Sequence, residues 1–384
     1  MPQSWFKVAS LAARYADDLA LGAVRDVHGA VAQRVWKPLT LATLGAGKPA
    51  QVVHDGITQA LYGGIGVGLR GAATACDAAD RRGLGPRTED TATGRFVVST
   101  VHGLIGDRLV EETPRSAIRM AVRVGGRDVP ATPDALAAAF PDAAGRVVVF
   151  VHGLMEHDQH WFRRRGELPS YGEALSATGT WSPVHLRVNT GLPLKENGVA
   201  LAALLDQLVE AWPVDVTRLA LVGHSMGGLV IRAACAVTTE AGEPWNRLVT
   251  DVVTLGTPHL GAPLEKLVHG GSRVLSVFPE AAPIGRVLDY RSPGILDLRH
   301  GLAADVQHLP HARYRLVSAT LGPSPYHPLS LALGDGMVMH RSALGRSPRG
   351  DLFPEASTLH LGSAHHFDLL NHPDVHRKLQ EWLA

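Results

Sequence analysis

Gly223-His224-Ser225-Met226-Gly227 sets a serine between two glycines, with a further glycine at 228. A serine hydroxyl is a weak nucleophile at neutral pH. It needs an adjacent base, a group that orients the base, and backbone donors for the oxyanion formed by its attack. An apolar stretch at 219–222 runs into the motif, and the helical pattern "MGGLVIRAACAV" leaves it. That context makes a sharp strand-to-helix turn, in which glycines keep neighbouring side chains clear of a strained serine. The alternative, a glycine-rich turn with an incidental serine, explains the spacing less well.

A donor for the oxyanion belongs on a second loop, one leaving a neighbouring central strand. "VHGL" occurs twice, at 101–104 and at 151–154. The second copy follows four β-branched or aromatic residues, 147–150, and so ends a buried strand. The first follows "GRFVVST" and leads into the charged "GDRLVEE". The second is therefore expected to serve the site, with the Leu154 N–H as one donor and the Met226 N–H as the other. The first copy is read as coincidence, or as a loop packing near the pocket.

These loops need a scaffold. Beyond about residue 95, short apolar runs alternate with helical patterns: "AIRMAVRV", "RVVVFVHG", "VHLRVNTG", "LALVGHS", "TDVVTLGTP", "ARYRLVSAT" and "STLHLGS" read as strands. An amphipathic helix is expected around 199–212 and another over the closing "PDVHRKLQEWLA". Continuous β-branched runs alternating with helices predict a mostly parallel sheet covered on both faces.

The motifs "VVVFVHGLMEHDQHW", "LALVGHSMGGLVIRAA", "VVTLGTPHLGAPLEK", "GDGMV" and "HFDLLNHP" make the chain resemble an α/β-hydrolase serine esterase or lipase, closest to bacterial relatives of the GPI-inositol-deacylase-like group. The resemblance covers roughly 95–384. It implies an α/β-hydrolase fold with a mostly parallel central sheet, helices on both faces and a cap insertion, about 262–312, after the sixth core strand. The order serine, acid, histidine in that fold puts the base near the C-terminus. Of His360, His365, His366 and His372, the resemblance favours His366, which precedes "FDLL"; His365 is the runner-up, and His360 reads as a strand residue. Among Asp251, Asp289, Asp297, Asp305, Asp335 and Asp351, it favours Asp335 in "GDGMV" as the acid, with Asp297 as its rival. Apolar residues between 264 and 288 are expected either to line an acyl pocket or to form the cap's own core.

Composition bounds the rest. The chain has 384 residues, 45% apolar and 19% charged, with a net charge of +1, so no strong field draws it to nucleic acid. Two cysteines, Cys76 and Cys235, imply no disulfide framework. Asp17 and Asp18 interrupt what would be the apolar run of a signal peptide, and no stretch reaches the length of a membrane span, so a cytoplasmic location is expected. Residues 1–90 read as a helical extension, with packing on the main domain preferred to a membrane-surface role, and 80–94 as a linker. No HExxH and no Cys-His set appears, so no metal or other cofactor is expected.

The expected function is hydrolysis of carboxylic esters, on a small-molecule ester or lipid, by Ser225, His366 and Asp335 through an acyl-enzyme. An acyltransferase or thioesterase would use the same triad, and a retired scaffold used for binding is the rival from another class.

Overall fold

Apolar runs with no polar face form strands only where helices cover both sides, and residues 147–151 and 219–222 are two such runs at the centre of this protein. The computed structural model describes residues 4–16, 48–84, 87–112, 114, 117–163, 167–237, 244–262, 292–302, 306 and 308–384. It divides into two compact units, Met1–Val98 and Ser99–Ala384.

In the first unit, helix Trp5–Ala16 packs on helix Lys48–Arg81, burying Val8, Leu11 and Tyr15 together with Ala73. Asp77 receives Lys7 at 3.3 Å and the Arg14 guanidinium. The apolar repeat read at 21–35 lies outside the described residues. Within the expected linker, a 3-10 turn at Thr88–Asp90 precedes helix Ala92–Glu112. Among the described residues, no helix is long and apolar enough to cross a membrane.

The second unit carries β1 (Ala121–Val124), β2 (Arg127–Val129), β3 (Arg146–Val151), β4 (Trp181–Arg187), β5 (Arg218–His224), β6 (Val249–Leu255), β7 (Arg313–Thr320), β8 (Arg346–Ser347), β9 (Gly350–Asp351) and β10 (Ser357–Gly362). Eight of them form one sheet in the order β10-β7-β6-β5-β3-β4-β1-β2, while β8 and β9 pair separately. Six are parallel, and β1 pairs antiparallel with both β4 and β2. Chain order reverses direction at β3, which sends the crossover helices to opposite faces. Accordingly, helix Leu194–Ala211 packs on helix Met226–Cys235, whereas helix Tyr171–Ser176 packs on helix Pro373–Leu383. This is the α/β-hydrolase fold. The first strand is shorter than "AIRMAVRV", and the helix expected at 199–212 begins earlier, at Leu194. Residues 263–291, most of the expected cap, lie outside the described residues.

Opposite the site, one carboxylate ties three strands together at their N-terminal ends. Asp251 on β6 is fully buried, and its Oδ2 accepts from Arg218 of β5 and Arg313 of β7, each at 2.9 Å. Arg315 stands 3.8 Å away, and Arg218 also donates to the carbonyl of Ala384 at 3.0 Å. Neutralising Asp251 leaves Arg218 and Arg315 largely buried without their counter-charge, while Arg313 is half exposed. Asp251→Asn is therefore expected to cost about 3 kcal/mol in urea unfolding followed by tryptophan fluorescence. A loss too small to measure would show that the arginines hold the strands without it.

Candidate active site

The register Val151↔Gly223 and His224↔Leu255 brings the C-terminal ends of β3, β5 and β6 to one level. In an open sheet, this edge at the reversal of strand order is where ligands bind. Ser225 follows β5 and caps helix Met226–Cys235 with φ 51° and ψ −122°, a positive φ that a non-glycine residue adopts only where its surroundings impose it. Its N–H donates to the Leu255 carbonyl at 2.8 Å, which fastens the turn to β6. Gly227 permits the turn: a Cβ there would run into the Val151 carbonyl.

The loop after β3 is anchored on each side of one residue. Gly153 N–H donates to Glu156 Oε2 at 2.7 Å and Met155 N–H to Thr190 Oγ1 at 3.1 Å. His152 accepts from Val188 N–H at 3.0 Å, while its Nδ1 faces the Gly153 carbonyl at 2.9 Å. Between them, no partner among the described residues engages the Leu154 N–H, and none engages the Met226 N–H in the first turn of its helix. The two donors named from sequence thus stand uncommitted on adjacent loops.

Asp335 and His366, 31 positions apart, meet twice. His366 Nδ1 lies 2.7 Å from Asp335 Oδ2, and His366 N–H donates to the Asp335 carbonyl at 3.0 Å. The other carboxylate oxygen of Asp335 accepts the N–H groups of Met337 and Val338 at 2.9 and 2.7 Å. Both side chains are buried. Burial would push the His366 pKa down, but the Asp335 charge and hydrogen bond, aided by Glu156, hold it above the ordinary histidine value. His366 Nε2 is buried with no hydrogen-bond partner among the described residues.

The rival residues are occupied elsewhere. Asp297 Oδ2 accepts the Leu194 N–H at 2.7 Å, capping the start of helix Leu194–Ala211. His365 accepts from Phe367 N–H and pairs with Asp368, His360 contacts Thr320 Oγ1 at 2.8 Å, and His372 caps the last helix. Asp351 lies on β9 beside Arg346, and Asp289 and Asp305 lie outside the described residues. Among the described residues, no three His, Cys, Asp or Glu side chains converge as a metal site requires.

The first "VHGL" needs a correction. It lies in helix Ala92–Glu112 rather than in a loop, and it packs on Met155, the residue after the second copy. The position of a Cβ on Gly103 is 2.5 Å from Met155 Cγ and 3.2 Å from Thr190 Oγ1. Gly103 therefore lets a helix press on the loop that holds Leu154. Two further residues escaped the sequence reading, Glu156 and His224, although both lie inside the quoted motifs.

Known proteins bear on this site. Residues 142–278 match a family model described as "Putative serine esterase (DUF676)". A "Triacylglycerol lipase" of Burkholderia plantarii is 28% identical over 163 residues, 40% of this chain and 40% of that protein. One of Pseudarthrobacter phenanthrenivorans is 29% identical over 132 residues, 32% of this chain and 36% of that protein. The chain thus spans well under half the length of these curated relatives. The Bacillus licheniformis lipase BlEst2 in its mature form overlays with a TM-score of 0.42 at 20% identity, covering 69% of this chain and 97% of that one. The fold, the family model and the two lipase relatives bear out the resemblance to α/β-hydrolase serine esterases and lipases; the narrower likeness to GPI-inositol-deacylase relatives rests on motifs alone.

A Cβ on Gly153 would sit 3.0 Å from Ser225 Cβ and 3.1 Å from Glu156 Oε2. Gly153→Ala is expected to lower kcat on the order of 10²–10³-fold if Leu154 N–H is an oxyanion donor. Gly103→Ala, by pressing on Met155, should cost about 1–3 kcal/mol of stability and also lower kcat, by less. Steady-state kinetics with melting curves check both, and Gly103→Ala with unchanged kcat and Tm would mean that the helix yields without moving the loop.

Proposed function

We propose that this chain is a serine hydrolase of carboxylic esters. The observation that carries the reading is the state of His366: one ring nitrogen is held by a buried carboxylate, the other is buried without a partner among the described residues, and the ring lies 4.7 Å from that of His224, the residue before the strained Ser225. A ring held in this way presents a basic Nε2 lone pair, as a general base requires. The serine esterase family match and the lipase relatives support an ester or lipid as substrate.

In this reading, Ser225 Oγ attacks the ester carbonyl carbon while His366 Nε2 takes its proton. Asp335 keeps the remaining proton on Nδ1 and stabilises the imidazolium. The tetrahedral oxyanion receives the N–H groups of Leu154 and Met226, at the positive end of the helix that begins at Met226. Collapse expels the alcohol, which takes the proton from His366 and leaves an acyl-Ser225 ester. Water, deprotonated by His366, then releases the acid.

Ser225→Ala is expected to abolish fluorophosphonate labelling and to lower p-nitrophenyl butyrate hydrolysis by on the order of 10⁴-fold or more while the fold persists. A folded Ser225→Ala protein of normal activity would end the reading. In one assay series, His366→Ala and Asp335→Asn should lower kcat strongly, and His365→Ala and Asp297→Asn much less; greater damage from Asp297→Asn would reassign the acid. Because the free base must be unprotonated, kcat/KM should fall on the acid side with a midpoint above the ordinary histidine value. A profile flat down to pH 5 would remove His366 from the role.

A further inference from the structure

Behind the proposed catalytic residues lies a buried carboxylate–imidazole pair that the reaction does not itself consume. Glu156 is almost wholly buried, and its two carboxylate oxygens lie 2.8 and 3.0 Å from His224 Nδ1. The same carboxylate accepts the Gly153 N–H, and Glu156 N–H returns a bond to the Gly153 carbonyl at 3.2 Å. On the far side of the ring, His224 Nε2 lies 3.2 Å from the His366 carbonyl. Both partners of the ring are oxygen acceptors, so a ring making both bonds carries a proton on each nitrogen, and the Glu156 charge matches it. The side chains of Glu156 and His224 therefore link the loop after β3, the residue before Ser225 and the backbone of His366 in one hydrogen-bonded line.

For the pairing alone, an apolar pair of similar volume is often as stable or more so, because a buried ion pair contributes little beyond its own desolvation. What an apolar pair would not supply is orientation and a field. We infer that Glu156 and His224 are positioning residues for the esterase reaction, an ion pair that sets the Gly153–Leu154 backbone and His366 relative to Ser225. The inference rests on the function proposed above. Among the described residues, the groups that bear on His366 are Asp335 from the turn after β7, Glu156 from the loop after β3 and the His224 ring, its centroid 4.7 Å away. Those bearing on Glu156 are His224 and His160, and Glu156 in turn acts on His152. With His224 beside it, Glu156 is held well below the usual carboxylate range despite its burial, so it stays charged wherever the enzyme works.

The two members have opposite signs, and the test uses this. Glu156→Gln removes a negative charge near His366, so the acid limb of kcat/KM should move to lower pH. His224→Gln leaves Glu156 uncompensated, so the limb should move to higher pH. Each should lower kcat on the order of 10- to 100-fold, as small misplacements of reacting groups do, with KM changed less than twofold. Profiles from pH 5 to 9 on p-nitrophenyl butyrate, with melting curves, read all of this. Should one variant fail to fold, the other carries the test through the direction of its shift. Folded variants with wild-type kcat and an unmoved limb overturn the inference, as do limbs that shift in the same direction. Loss of the fold in both would make the pair a core element and equally overturn it. If Ser225→Ala stays active, the function fails instead; if Ser225→Ala is dead and the Glu156 and His224 variants behave as wild type, only the positioning role fails.

Discussion

Everything at the site depends on two parallel strands ending together. β3 and β5 pair from Arg146↔Arg218 to Val151↔Gly223, and a parallel ladder allows no slip where both faces are buried. Since the strands end level, the loop after β3 and the turn after β5 start side by side. A shift of one register step would invert every side chain of the strand and separate Gly153 from Ser225, whose Cβ now limits what Gly153 can be. The geometry of the site is a consequence of strand register before it is a matter of any one side chain.

The sheet uses buried carboxylates at both of its ends, and for different ends. At the N-terminal edge, Asp251 gathers Arg218, Arg313 and Arg315, surplus positive charge that draws three strands and the C-terminal carbonyls together. At the C-terminal edge, Asp335 and Glu156 each face a histidine, and each also accepts backbone N–H groups of its own loop. A carboxylate pinned by its own backbone keeps a fixed direction, which is what orients an imidazole. One edge holds the sheet closed, and the other aims its loops.

The parts legible in the sequence were those whose signals are local. The runs in β3, β5 and β6 announce themselves because strands buried on both faces have no room for polar residues. Ser225 shows by its glycines, and Asp335 and His366 by short contexts on either side of β10 that turn out to stand 2.7 Å apart. The first "VHGL" reads as coincidence or a loop, because its glycines and its Ser-Thr break disguise a helix; close packing at Gly103 and at Gly106, the latter against the Asn189 side chain, accounts for those glycines. Glu156 and His224 are 68 positions apart, and neither neighbourhood hints at the other. Only the register of β3 on β5 brings them together.

The segment between β6 and β7 is pinned where it leaves the frame and where it returns. Ala262 N–H donates to the Leu298 carbonyl at 3.0 Å, Gly294 N–H to the Gly191 carbonyl at 3.3 Å, and Ser292 Oγ to the Gly103 carbonyl at 3.0 Å. Closing a chain between two ends fixed by the frame's own hydrogen bonds costs only about 0.6 kcal/mol more for each doubling of its length, so the frame itself sets little limit on how long a chain joins Ala262 to Ser292.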